Sequence, residues 1–302
     1  MKSKFSTLCH HKSKVAFWLV IALGIYFACT SASKGATTFR VEVTGKGEPM
    51  ILIPGLSSSG DVWKSTVLHY QDHYQCHVLT LAGFAGVPPL DDDAFLDHVK
   101  NDIIEYIKEK HLQKPVIIGH SLGGFLALWV SSTEPNLIGK VVIVDALPFL
   151  PAVFYPTATA QTAAPFASQM KQQILAQSDE KFKASQKGNF RKLIIDTTTA
   201  DAASIWGINS SRATVAEVTF EMQTTDLREE ISKITSPVLV FATWISYAPY
   251  QTHDGIAEIF KAQYSELKNY KLVVEDNARH FVMLDDPQGF FEATDDFLVS
   301  GH

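Results

Sequence analysis

Gly119-His120-Ser121-Leu122-Gly123 is the stretch that decides how this chain reads. Pro115-Val116-Ile117-Ile118 precedes it, and Gly124-Phe125-Leu126-Ala127-Leu128-Trp129-Val130 follows. The first run is β-rich and the second is helix-like. The pentapeptide therefore marks a sharp strand-to-helix turn of the nucleophile-elbow type. Gly119 and Gly123 leave room where neighbouring segments approach closely. Ser121 is presented at the strand's C-terminal edge with its hydroxyl exposed. The Leu122 amide, at the helix start, points at the space where an oxyanion would form.

Outward from the turn, the chain alternates short apolar runs with helical patterns. Thr38–Val43, Met50–Ile53, Cys76–Leu81, Lys140–Asp145, Pro237–Phe241 and Tyr270–Val274 read as strands beside 115–118. Helices are expected around Trp63, Val67 and Leu68, and from Asp91–Asp93 through Leu96, Val99, Ile103 and Ile107. Two more are expected over Thr252–Tyr264 and from Asp286-Pro287 to Val299. This rhythm predicts a parallel α/β sheet. It breaks between Ala146 and Ser236, where prolines at 148, 151, 156 and 165 lead into three helix-like stretches, near 166–176, 179–196 and 211–223. That segment reads as a helical cap. It supplies Phe149, Phe154, Tyr155, Phe166, Met170, Trp206 and Met222, some for a pocket and most for its own packing.

The chain has 302 residues, enough for one large domain with an insertion. Its net charge of −6, without a basic stripe, argues against a nucleic-acid partner. Basic residues cluster at Lys2, Lys4, Lys12 and Lys14, ahead of the uncharged apolar run Val15–Ala28. That length suits a signal-peptide core and is short for a membrane span. Residues 1–33 thus read as a leader cleaved after about Ala32 or Ser33, or as an uncleaved anchor, the only membrane contact expected. Bulky Tyr26-Phe27-Ala28 fit a lipidated Cys29 less well. Either way the body, 34–302, is expected outside the cytoplasm, periplasmic or secreted. Of Cys9, Cys29 and Cys76, only Cys76 would remain after cleavage, so no internal disulfide is expected.

A serine needs a base before it can act as a nucleophile. His280, in the loop between the last strand and the last helix, stands at the same sheet edge as Ser121, because parallel strands all end there. The body from Thr38 to Gly301 now resembles the α/β-hydrolase family, as a capped serine hydrolase of the esterase type. The elbow, the Trp63 helix, the late His280 and the Asp286-Pro287 helix start all match. The resemblance implies a mostly parallel central sheet flanked by helices, with the cap (146–236) inserted after the sixth strand. It implies a serine–acid–histidine triad in that chain order and an oxyanion hole from the backbone amides of Leu56 and Leu122. No cofactor is implied. The chain departs from many relatives in having Pro54-Gly55 instead of His-Gly, and Ala82 instead of an acidic residue.

The acid is where the pattern is least regular. Most relatives keep it shortly after the strand Val238–Phe241. Here no carboxylate follows until Asp254. An alternative within the fold places it after the preceding strand, where Asp145 stands. Asp145 is the first choice and Asp254, beside a helix start, the second. Trp244 and Tyr247, after a sheet strand, are candidate substrate-binding residues. His120 reads as a packing residue of the elbow. His69, His73 and His77 recur every fourth residue beside Cys76, but the last lies in a predicted strand, so no metal site is expected. The expected activity is cleavage of a carboxylic ester in a small-molecule substrate through an acyl-enzyme on Ser121. Carbon–carbon, amide or lactone hydrolysis and, from another class, non-catalytic binding are the alternatives. The oligomeric state is not readable.

Overall fold

The computed structural model describes residues 37–91, 93–248 and 251–300. The expected leader over 1–33, and with it Cys9 and Cys29, lies outside the described residues. Among those described, no helix is long and apolar enough to cross a membrane.

Seven strands form one sheet: β1 (Phe39–Gly45), β2 (Glu48–Ile53), β3 (Tyr74–Leu81), β4 (Val116–His120), β5 (Lys140–Val144), β6 (Val238–Thr243) and β7 (Tyr270–Glu275). Their order is β1-β3-β2-β4-β5-β6-β7, with β1 antiparallel to β3 and the other neighbours parallel. The central strands are continuous apolar runs because both faces of the sheet are covered. Ile51, Ile53, Ile117, Ile143 and Val240 face one layer, with α2 (Phe95–Glu109) and α3 (Leu122–Thr133). Met50, Leu52, Ile118, Val142 and Phe241 face the other, with Trp63 and with Phe290 of α10 (Pro287–Val299).

The chain runs from β2 to β3 on one side and then returns to β4 on the other. The loops after β2 and β4 therefore splay apart at a switch point, where ligands bind in such sheets. Two glycines let α3 close on this point. A Cβ at Gly119 would overlap the carbonyl of Gly123, and one at Gly123 would overlap that of Ile53.

The inserted helices follow β5, the fifth strand rather than the sixth among the described residues. They number four rather than three: α4 (Ala160–Leu175), α5 (Asp179–Leu193), α6 (Thr197–Ile208) and α7 (Arg212–Thr224). Helix α4 begins before Pro165, because a reciprocal pair of hydrogen bonds between Thr159 and Thr162 caps it there. The insertion is tied to the sheet domain at α2. The amides of Phe95 and Leu96 each donate to the Glu221 carboxylate of α7, both at 2.9 Å. Asp91 and Asp93, expected inside the start of α2, precede it. Two of its unpaired N–H groups, those of Phe95 and Leu96, are satisfied by Glu221 instead.

Gly123→Ala is expected to destabilise the protein by about 1–3 kcal/mol through overpacking against backbone that cannot move aside. Gly188→Ala, in α5 with open space around it, is expected to be neutral or stabilising. Thermal unfolding of the two variants checks this, and equal melting temperatures would contradict the close approach.

Candidate active site

Ser121 sits between β4 and α3 with φ 53° and ψ −117°, a conformation that costs a non-glycine residue energy. Its amide donates to the Val144 carbonyl at 2.9 Å, which holds the turn against β5. Leu122 opens α3, so its amide is one of the helix's unpaired N–H groups. On the other side of the switch point, Ser58 N donates to Gly55 O at 3.2 Å and closes a turn with Leu56 and Ser57 at its tip. Ser57 has φ 58°, and its buried hydroxyl has no hydrogen-bond partner.

Asp145 follows β5 with φ 47°. Its carboxylate accepts from Thr243 N at 3.0 Å and Thr243 Oγ1 at 2.8 Å, both at the end of β6. The remaining interaction is with His280. Nδ1 of His280 lies 2.6 Å from Asp145 Oδ2 across 135 residues of sequence. Nδ1 therefore carries the proton it donates, which leaves Nε2 as an acceptor. Asp254, the other candidate, has a side chain 97% exposed and neighbours His253, 3.2 Å away.

The His280 loop is held from several directions. His120 Nε2 lies 3.0 Å from the His280 carbonyl, an acceptor, so Nε2 must be the protonated nitrogen. Burial, then the nearby His280, hold His120 well below the usual histidine range, so it is neutral. Beyond packing, His120 thus anchors the backbone of His280. Its Nδ1 is buried without a partner. Asp285 accepts from Arg279 N and from Ile195 N, each at 2.9 Å, and so joins this loop to the turn between α5 and α6.

Leu56, Ser57, His120, Ser121, His280 and Phe281 form the floor of a cavity of about 520 Å³. The inserted helices make its roof. Helix α5 contributes Phe182, Gln186, Asn189, Phe190 and Leu193, a stripe at helical spacing that mixes amides with apolar groups. Met170 and Met222 line it as well. Trp244 and Tyr247, expected at the substrate, are not in its wall. The Trp244 indole donates to Asp276 at 2.8 Å, and Tyr247 packs against the core. Ser57 and the α5 stripe are additions. Period alone would have located the stripe, but its amides look like ordinary surface residues.

His69 pairs with Asp295 at 2.9 Å, whereas His77 meets Tyr106 at 2.7 Å, so the histidine series diverges in space. Cys76 is buried, and burial pushes its thiol up to about 11, which makes it unreactive.

The chain belongs to the alpha/beta hydrolase family, whose model matches residues 50–293. It is an enzyme of that family. It is 26% identical to pimeloyl-[acyl-carrier protein] methyl ester esterase of Aeromonas salmonicida, over 83% of this chain and 96% of the relative. It is 24% identical to (E)-2-((N-methylformamido)methylene)succinate hydrolase of Acinetobacter baylyi, over 84% of this chain and 91% of that one. Among solved structures, an esterase from Exiguobacterium antarcticum superposes with a TM-score of 0.71 at 16% identity, covering 87% of this chain and 96% of the other.

Glu275, the last residue of β7, is 7% exposed. Burial, then the charges of Asp286 and Asp276, push its carboxyl from the ordinary 4.5 up to about 7. Between those values the folded state binds more protons than the unfolded one, so stability falls as pH rises through this window. Glu275→Gln should remove that loss. Urea unfolding at pH 5 and pH 8 is expected to show the variant gaining on the native protein by about 1–3 kcal/mol over the interval. A constant difference would contradict it.

Proposed function

We propose that the protein is a serine hydrolase that cleaves carboxylic esters of small molecules through an acyl-enzyme on Ser121. The observation that carries this is the partly buried Asp145–His280 hydrogen bond, 2.6 Å long, which holds a histidine at the floor of a cavity that Ser121 also lines. In this reading His280 Nε2 takes the Ser121 proton as Oγ attacks the ester carbonyl. Asp145 holds the imidazole in the required tautomer and stabilises its cation. The Leu56 and Leu122 amides donate to the oxyanion. His280 then gives its proton to the leaving alcohol. Water, deprotonated by His280, attacks the acyl carbon; the bond to Oγ breaks, His280 returns its proton to Ser121 Oγ, and the acid is released. Every proton and acyl transfer is assigned to side chains or water, so the reading calls on no cofactor. The same first step would open a lactone, whose bond is also acyl–oxygen.

The fit of the relatives is of the same kind, since one acts on a methyl ester by name. The basic start and apolar run of residues 1–28 support export to the periplasm or medium.

Three measurements bear on this reading. A fluorophosphonate probe should label the protein, and Ser121→Ala should abolish the label. A folded protein that resists the probe would refute the nucleophile. On a short aryl ester, Asp145→Asn should lower kcat by about 10²–10⁴-fold. Asp254→Asn should leave kcat within about twofold, and the reverse pattern would move the acid to Asp254. Mass spectrometry of exported protein should find a chain starting after Ala32 or Ser33, and a full-length chain retained in the cytoplasm would refute export.

A further inference from the structure

A second cavity, of about 720 Å³, lies against the inserted segment. Leu150, Met170 and Gln223 border both this cavity and the one over Ser121, so the two chambers meet at a shared wall. Each falls in the size range of a small-molecule site. Beyond that wall the lining is mostly apolar, with Phe154, Tyr155, Ala163 and Phe166 beside Thr157 and Thr162, and none of its lining side chains is charged.

Two features mark this as a built chamber. Phe154, Tyr155 and Phe166 are 66%, 73% and 62% exposed, an apolar cluster of the sort that marks a binding groove. The loop that forms its floor is also fixed in place. Arg228 donates to the Ala158 carbonyl at 2.8 Å and to that of Pro156 at 3.4 Å. Its guanidinium lies over the Phe149 ring and is held by Asp226.

We propose that the second chamber receives the hydrocarbon chain of an amphipathic ester whose carbonyl lies at Ser121, with the chain passing between Leu150, Met170 and Gln223. The amide-bearing first chamber would hold the polar end and the second the tail. This rests on the assignment of Ser121 as nucleophile. Each methylene that leaves water for the chamber should raise kcat/KM by up to about fourfold. The uncharged lining should reject a chain that ends in a carboxylate.

The test uses p-nitrophenyl acyl esters and n-alkyl acetates, each from two to twelve carbons, below their aggregation limits. The expected result is a rise of kcat/KM with length in at least one series. In Met170→Trp, which narrows the junction, and Phe166→Glu, which puts a charge at an exposed helix position, the ratio of long- to short-chain kcat/KM should fall at least tenfold. Using the ratio cancels any general loss of active protein. A flat or falling profile in both series, or ratios unchanged in both variants, would overturn the chamber's role. Calorimetric titration of dodecyl acetate into Ser121→Ala protein reads the chamber without turnover. Binding weakened at least tenfold by Phe166→Glu is expected, and no binding would overturn the proposal. Turnover of the two-carbon esters tests the nucleophile separately from the chamber.

Discussion

The hydrogen bond between Asp145 and His280 joins two loops that only the sheet can bring together. Asp145 leaves β5 in a left-handed conformation, and His280 arrives from beyond β7, with β6 between them. Thr243 at the end of β6 bridges the gap by donating to both carboxylate oxygens. The carboxylate is thus fixed before the histidine meets it. Ser57, Ser121 and Asp145 are three of the six non-glycine residues with positive φ among those described, and each such position costs about 1–3 kcal/mol. The two apolar layers around the sheet hold these strained turns at one edge.

The inserted helices serve the sheet domain as well as cover it. Glu221 supplies the negative charge that the start of α2 needs, so a core helix depends on a residue of the insertion. In return, the floor of the cavity is made by the loops of the sheet, and the inserted helices make its roof. The cavity is therefore assembled from two different parts of the chain.

The parallel strands were legible because burial on both faces leaves an unbroken apolar run, and Ser121 was legible because close backbone approach demands glycines on both sides. Helix α6 was not. Its sequence, Thr197–Ile208, has no one-sided apolar stripe, and it is held by packing on α5 and by the Asp196 cap. The proline in α4 concealed a helix start that a threonine pair secures. The choice between Asp145 and Asp254 needed the register of β5 and β6, which no local pattern contains. Trp244 and Tyr247 stand apart from the cavity over Ser121 for a related reason. A loop at the correct sheet edge can still turn its side chains elsewhere, and the indole is drawn to Asp276.

Asp285 grips the backbone of Ile195 and of Arg279 with its two oxygens, and the Arg279 guanidinium reaches back to the Ile194 carbonyl at 3.3 Å. The α5–α6 turn and the histidine loop are therefore one mechanical unit. A roof hinged at that turn would drag the imidazole away from its carboxylate whenever it lifted. The flexible, unbranched Met170, which borders both cavities, can change rotamer without disturbing that hydrogen-bonded unit.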